Sequence, residues 1–97
     1  MAHRIIWSDD AVEDLQQIAD YIGRDSGHYA RVVVSRILES TRKLSRHPRI
    51  GRVVPEVGDE AFRELLVYSY RVIYRVEKQR VTIETIAHGK QDLHFDT

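Results

Sequence analysis

Cationic side chains recur along one stretch near the C-terminus that alternates between apolar and polar residues. Arg71 and Arg75 lie within the run from 70 to 88, and His88 and Lys90 stand at its end. Fixed cations can stabilise negative charge that develops at a phosphate group, and a histidine or lysine can protonate a leaving oxygen. These residues therefore supply cations and a proton donor of the kind that chemistry at a phosphate group needs.

A general base for such a reaction is less evident in the sequence. Glu84 is predicted on the same face as Arg71 and Arg75, where an ion pair is the simpler interpretation, and Glu56 lies in a segment whose position the sequence does not predict. Two interpretations of Arg71 and Arg75 stay open. They act at a functional site, or they form a cross-strand salt bridge with Glu84.

The elements that hold these residues are predicted to be two strands of a β-hairpin. Apolar residues recur with period 2 on both sides of a polar turn at 77–80. A four-residue turn predicts three facing pairs on a core face: Val76 with Val81, Tyr74 with Ile83, and Val72 with Thr85. The opposite face then holds Arg71, Ile73, Arg75, Thr82, Glu84 and Ile86.

Two amphipathic helices are predicted between a first short strand at 3–7 and the hairpin. Ser8 is a good helix N-cap, and Asp9 and Asp10 follow in the first turn, where carboxylates favour the helix dipole. Gly23 should end this helix, and a link at 25–27 leads to a second helix that must end before position 48, where the first proline stands. So short a link predicts an antiparallel helical hairpin.

The remaining segments complete the fold prediction. Residues 48–59 contain both prolines and two glycines and are predicted to be a loop, 62–67 a strand, and 68–69 a turn. The order is β-α-α-β-β-β, an α+β fold in which a helical hairpin packs on a small, mainly antiparallel sheet. We expect residues 1–97 to form a single domain.

Composition narrows the class of protein. The chain has no cysteine, which excludes disulfides and thiolate chemistry, and no apolar run is long enough for a signal peptide or a membrane span. We expect a cytoplasmic protein. Net charge is zero, but residues 28–55 contain seven basic residues and one acidic residue. This stretch predicts a basic band on the second helix, formed by Arg31, Arg36, Arg42, Lys43 and Arg46.

Neither a metal site nor a cofactor site is predicted. His88, Asp92 and His94 have a loosely metal-like spacing but no supporting residues around them. Trp7, Tyr70 and Tyr74 are interpreted as residues that fill or edge the core rather than as base-stacking residues.

Four stretches of the chain follow one another in an order that matches a known family. They read WSDDAVEDLQQIADYI, LSRHPRIGRVVPE, RELLVYSYRVIYRV and IAHGKQDL. Over nearly its whole length the chain resembles the RelE/ParE family of bacterial toxins from type II toxin–antitoxin modules, and it is closer to the ParE branch. The resemblance implies a helical hairpin on a small antiparallel sheet, in agreement with the pattern, so residues 1–97 would be one toxin domain.

The resemblance implies two alternative activities. ParE-type toxins inhibit DNA gyrase by binding, whereas RelE-type toxins are endoribonucleases that cut messenger RNA on the ribosome. Under the second alternative the catalytic residues would be Arg71, His88 and Lys90. The chain has only three lysines and no net charge, which favours the ParE branch, although Gln91 replaces one expected basic residue.

The resemblance also implies partners and sites. A cognate ParD-like antitoxin would bind and neutralise the toxin in a hetero-oligomer, and no membrane is involved. Leu66, Ile73 and Ile86 are predicted to form an exposed apolar strip between Arg71 and Arg75 that an acidic antitoxin segment covers. His88 and Lys90 are predicted to contact the target, so deletion from residue 89 onward should abolish toxicity.

Overall fold

The sheet and helices follow the predicted order. A computed structural model of the chain describes residues 2–89, and within them five strands form one sheet in the order β1-β5-β4-β3-β2. The elements are β1 (Arg4–Trp7), α1 (Asp9–Gly23), α2 (Gly27–Arg42), a 3₁₀ turn (Lys43–Ser45), β2 (Arg52–Val53), β3 (Phe62–Val67), β4 (Tyr70–Val76) and β5 (Arg80–His88).

Both helices begin where serine residues cap them. The Ser8 hydroxyl accepts a hydrogen bond from the backbone N–H of Ala11 at 3.0 Å, and Ser26 does the same for Tyr29 at 3.0 Å. Each cap satisfies a backbone donor that has no partner inside its helix. The predicted start of α1 at Ser8 and its end at Gly23 are confirmed.

The sheet is antiparallel except at one edge. β1 runs parallel to β5, whereas β2, β3 and β4 pair antiparallel with their neighbours. The α+β prediction with a mainly antiparallel sheet is confirmed. The segment 48–59, predicted to be only a loop, also contributes the short edge strand β2, which pairs with Arg63 and Glu64 of β3.

The central hairpin departs from its predicted register halfway along. Val76 faces Val81 and Tyr74 faces Ile83 as predicted, but Val72 faces Ile86 rather than Thr85. The cause is a β-bulge at Glu84, which has no partner in β4. An extra residue in one strand reverses which side chains point to each face beyond it.

Helix α1 holds the bulge in place through two polar side chains. The Ser8 hydroxyl donates to the carbonyl of Glu84 at 2.8 Å. The Asp14 carboxylate accepts from the backbone N–H of Ile86 at 3.0 Å and from the Thr85 hydroxyl at 2.6 Å. Backbone groups that the bulge removes from the ladder are thus satisfied by the helix.

The main core lies between the helices and the sheet. Tyr74 is fully buried there, and its hydroxyl accepts a hydrogen bond from the Gly51 N–H at 3.0 Å. Trp7 and Tyr70 edge this core, as predicted. Its buried members are Ala11, Val33, Ile37, Leu44, Val67, Val72, Tyr74, Val81, Ile83 and Ile86.

Candidate functional site

Four charged side chains form a cluster on the sheet face opposite this core. We call Arg52, Glu56, Glu64 and Arg71 the arginine–glutamate cluster. Arg71 donates from Nε to Glu64 at 2.7 Å and from its two Nη atoms to both oxygens of Glu56 at 2.7 and 2.8 Å. Arg52 pairs with the other oxygen of Glu64. Every nitrogen of the Arg71 guanidinium therefore has a carboxylate partner.

Burial makes this cluster a structural feature of the protein. Arg71 is 5% exposed and Glu64 is 2% exposed. Hydrogen bonding to Arg71 is the main reason why the pKa of Glu56 is lowered to about 2, and the same pairing raises the pKa of Arg71. Both groups stay ionised at neutral pH. The two positive and two negative charges cancel, so the cluster presents no net charge to a ligand.

The predicted salt bridge with Glu84 is confirmed for Arg75 and wrong for Arg71. Glu84 lies 3.9 Å from Arg75, which also pairs with Glu77 at 3.3 Å. The Arg75 guanidinium stands 6.0 Å from the ring centroid of Phe62. Glu56 reaches Arg71 because the connection between β2 and β3 crosses this face, a position that the sequence pattern did not predict.

The predicted apolar strip between Arg71 and Arg75 is also wrong. Ile73 is fully buried, and the bulge moves Ile86 to the helix side, where it joins the main core. Leu66 keeps an exposed side chain, at 60%. Of the five residues predicted to contact an antitoxin, only Leu66 and Arg75 remain accessible on this face.

Aromatic side chains gather at the end of the sheet where β5 finishes. We call Tyr21, Tyr29, Tyr68, Tyr70 and His88 the aromatic end. The rings of Tyr29 and Tyr68 lie 6.4 Å apart, and those of Tyr70 and His88 meet edge to face at 5.9 Å. Tyr21 is 69% exposed, and Tyr29 and Tyr68 are about half exposed. Partly apolar, partly polar surfaces of this kind are enriched at protein interfaces.

The backbone between β3 and β4 helps to build the aromatic end. Tyr68 takes a left-handed conformation with φ of 53° in the turn, and the Gly89 N–H donates to the Ser69 carbonyl at 2.6 Å. This turn therefore stands beside the end of β5, next to His88. Sequence reasoning missed the surface because its residues come from α1, α2, the β3–β4 turn and β5. The available signal for this surface in the sequence was the presence of tyrosines outside the apolar repeat of the helices.

A cleft of about 470 Å³ opens between α1 and the last residues of β5. Asp14 stands in its wall with its carboxylate already bound to the bulge, and Tyr21, Tyr70 and His88 border it. Burial is the main reason why the pKa of Tyr70 is raised. The tyrosine hydroxyl therefore stays neutral, and the cleft offers hydrogen bonding and stacking rather than a charged nucleophile.

The residues predicted for catalysis under the endoribonuclease alternative are Arg71, His88 and Lys90. Arg71 is buried and fully paired, His88 is exposed at the aromatic end, and Lys90 lies outside the described residues. Across residues 2–89 no group of three histidine, cysteine or acidic side chains could hold a metal ion. Over the same residues no helix is both long and apolar enough to span a bilayer.

Comparisons with known proteins agree with this fold. No curated protein sequence matches the chain. A chain of the chromosomal ParDE TA system from P. aeruginosa superimposes with a TM-score of 0.75 at 22% identity, covering 90% of this chain and 96% of the other. A chain of the RelBE2 toxin–antitoxin complex from Mycobacterium tuberculosis gives 0.65 at 19% identity, covering 91% and 99%. Identities this low show a shared fold alone.

The family comparison is more specific. The family described as ParE toxin of the type II toxin-antitoxin system, parDE, matches residues 5–93, which span β1, both helices and the rest of the sheet. That range includes the capped start of α1, the arginine–glutamate cluster and the aromatic end. The chain therefore belongs to the ParE toxin family of type II toxin–antitoxin systems.

Proposed function

We propose that this toxin inhibits DNA gyrase by binding to it and that a cognate ParD-like antitoxin neutralises it in a hetero-oligomer. The observation that carries the proposal is the family match over residues 5–93. Binding rather than bond breaking agrees with the geometry of Arg71, whose guanidinium is occupied by two carboxylates. It cannot turn toward a phosphate without leaving the buried Glu64 with Arg52 as its remaining partner.

The endoribonuclease alternative would need that guanidinium at the reacting phosphate. The RelBE2 complex has a related fold, but fold alone does not carry an activity from one protein to another. Under this alternative Arg71→Ala should reduce cutting by roughly 10²–10³-fold. The burial of Arg71 and its pairing in the arginine–glutamate cluster favour the gyrase proposal.

We assign target contact to the aromatic end, which contains His88, the described member of the predicted pair His88 and Lys90. Exposed tyrosines beside a histidine offer large contact area and hydrogen bonding with little side-chain entropy to lose. We assign antitoxin contact to Leu66 and Arg75, which lie on the sheet face away from the helices and whose side chains stay accessible.

Two activity assays on one preparation test the toxin proposal. Purified toxin should inhibit supercoiling by gyrase or trap cleaved DNA, and it should leave messenger RNA intact on programmed ribosomes. His88→Ala should raise the toxin concentration for half-inhibition by about tenfold, the loss of roughly 1.4 kcal/mol that a moderate contact residue contributes. His47→Ala, at an exposed histidine in the loop after the 3₁₀ turn, is the matched control. Codon-dependent cuts with unimpaired supercoiling would reject the proposal.

A binding titration tests the antitoxin surface. Leu66→Asp should weaken the complex with the antitoxin by about tenfold or more, because an apolar contact is replaced by a charge that must be desolvated. Ile50→Asp makes the same chemical change at a side chain that is also 60% exposed, but in the loop before β2. Equal affinities for the two variants in calorimetry would exclude Leu66 from the interface.

A further inference from the structure

A basic surface on α2 takes no part in the sites described so far. The band predicted from the sequence is exposed, and its members are Arg31, Arg36, Arg42, Lys43 and Arg46. Arg31 and Arg42 are three helical turns apart on one side of α2, and the rise per residue places them about 17 Å apart along its axis. Arg36 lies about 140° around the helix from Arg31, and Lys43 and Arg46 follow the end of α2. The charges therefore spread over an elongated surface rather than a point.

The positive charge of this band is not neutralised within the described part of the chain. None of its five members lies within ion-pairing distance of a described carboxylate, in contrast to Arg71, Arg75 and Arg80. Glu39 is the one acidic residue in the sequence from 28 to 55. Folding thus concentrates an unpaired cationic surface on a chain whose net charge is zero.

The composition of the band indicates what kind of polyanion fits it. The exposed large apolar residues of the described chain are Val12, Tyr21, Tyr29, Ile50, Leu66 and Tyr68, none of which stands between Arg31 and Arg46. A protein partner needs an apolar anchor and single-stranded nucleic acid needs aromatic rings for stacking. Duplex nucleic acid needs neither, because phosphates spaced along a strand are contacted by arginine, lysine and serine side chains.

We propose that the basic band of α2 binds the phosphate backbone of double-stranded DNA. The choice of DNA over duplex RNA rests on the proposed function, since gyrase acts on DNA. Ser35, one turn beyond Arg31, adds a hydroxyl donor for a phosphate oxygen. It lines a groove together with Arg31, Arg36 and the acidic Glu39. The band holds the toxin on the DNA that its target also holds, and the contact carries no sequence specificity.

Fluorescence anisotropy of the full-length toxin with a labelled 20-base-pair DNA duplex tests this binding without gyrase. Three to four neutralised phosphates predict a slope of about −3 in log affinity against log salt, so affinity should fall by about 60-fold between 50 and 200 mM salt. A single strand of the same sequence should bind more weakly. Absence of duplex binding at 50 mM salt would overturn the proposal.

Charge variants assign the binding to the band. Arg36→Glu with Arg42→Glu should abolish detectable duplex binding, whereas Arg24→Glu with Lys78→Glu changes the net charge equally at exposed positions outside the band and should retain most of it. Glu39→Lys should tighten binding and steepen the salt slope by about 1. This gain cannot arise from misfolding. Equal losses in the two double variants, or no gain with Glu39→Lys, would contradict the assignment.

Two further binding measurements distinguish duplex DNA from the other polyanions that the band could bind. A polyglutamate peptide that competes as well as the duplex would assign the band to an acidic protein segment, and tighter binding to a 20-base-pair RNA duplex would assign it to RNA; either result overturns the proposal. Supercoiling assays on the same variants keep the two proposals apart. Duplex binding without gyrase inhibition would sustain the DNA surface and reject the gyrase target.

Discussion

Two groups of arginines in this protein have the same chemistry and opposite surroundings. Arg71 lies on the sheet, 5% exposed, and every one of its guanidinium nitrogens meets a carboxylate. Arg36 and Arg42 lie exposed on α2 and make no ion pair with a described residue. The first group is held by the fold, whereas the second is available to a partner.

The difference comes from tertiary structure rather than from neighbours in sequence. The carboxylates of Arg71 arrive from β3 and from the β2–β3 connection, 7 and 15 residues away. Helix α2 carries a single acidic residue, Glu39, and none of the ion pairs among the described residues involves an α2 side chain. A buried arginine must be paired because an isolated charge is costly to desolvate, while an exposed one need not be.

The largest effect expected is the loss of Arg71. Arg71→Met should lower the free energy of unfolding by about 3–5 kcal/mol, because Glu64 then stays buried with Arg52 as its remaining partner. Urea denaturation measures it. Arg71→Met combined with Glu64→Met should recover part of this stability, since it also removes the buried carboxylate. A double variant no more stable than the single one would show that lost packing, not the orphaned charge, is the cause.

The next largest effect on stability is expected at Asp14, whose carboxylate binds a backbone N–H and a hydroxyl group. Asp14→Ala should cost about 1–3 kcal/mol, because it leaves the Ile86 N–H at the bulge without its acceptor. Asp10→Ala removes an exposed carboxylate one turn earlier in α1 and is the control. Hydrogen exchange should show faster exchange at Ile86 in the Asp14 variant alone; equal exchange in both would mean that the bulge does not depend on α1.

The bulge explains which part of the hairpin the sequence could predict. Alternation of apolar residues predicted Val76 with Val81 and Tyr74 with Ile83, near the turn, where the register is set locally. Beyond Glu84 the pattern was misleading, because Thr85 and Ile86 fit either face. Their placement depends on Ser8 and Asp14, more than 70 residues earlier in the chain.

The candidate sites were less predictable than the fold for the same reason. Helix caps, turns and strands follow from residues close in sequence, and these predictions are confirmed for α1, α2, β3 and the half of the central hairpin beside its turn. The partner of Arg71 depends on where Glu56 is carried by a connection without periodicity. Only the basic band was visible in advance, because helical spacing alone places Arg31, Arg36 and Arg42 on an exposed side.

Lowering the pH should weaken the ion pairing of Arg71 and leave the unpaired arginines of α2 unaffected. The pKa of Glu56 lies near 2 in the folded protein, below its ordinary value of 4.5, because Arg71 binds the carboxylate. Because this pKa is lower in the folded protein, the ionised Glu56 carboxylate stabilises the fold fully above about pH 4.5. That contribution is lost as the pH falls toward 2. Glu56→Gln should therefore show a smaller loss of unfolding free energy over this window. Parallel curves for the two proteins would contradict the assignment.

The smallest effect is expected in the basic band, and it is the strictest test of the contrast with Arg71. Arg36→Gln should change the free energy of unfolding by less than about 0.5 kcal/mol, since its side chain is exposed and has no ion-pair partner among the described residues. The same variant should weaken duplex DNA binding and make its salt slope shallower by about 1. A loss of stability as large as that of Arg71→Met would mean that α2 uses its arginines to hold the fold. Unchanged stability with weaker binding would mean that the fold leaves them free for a partner.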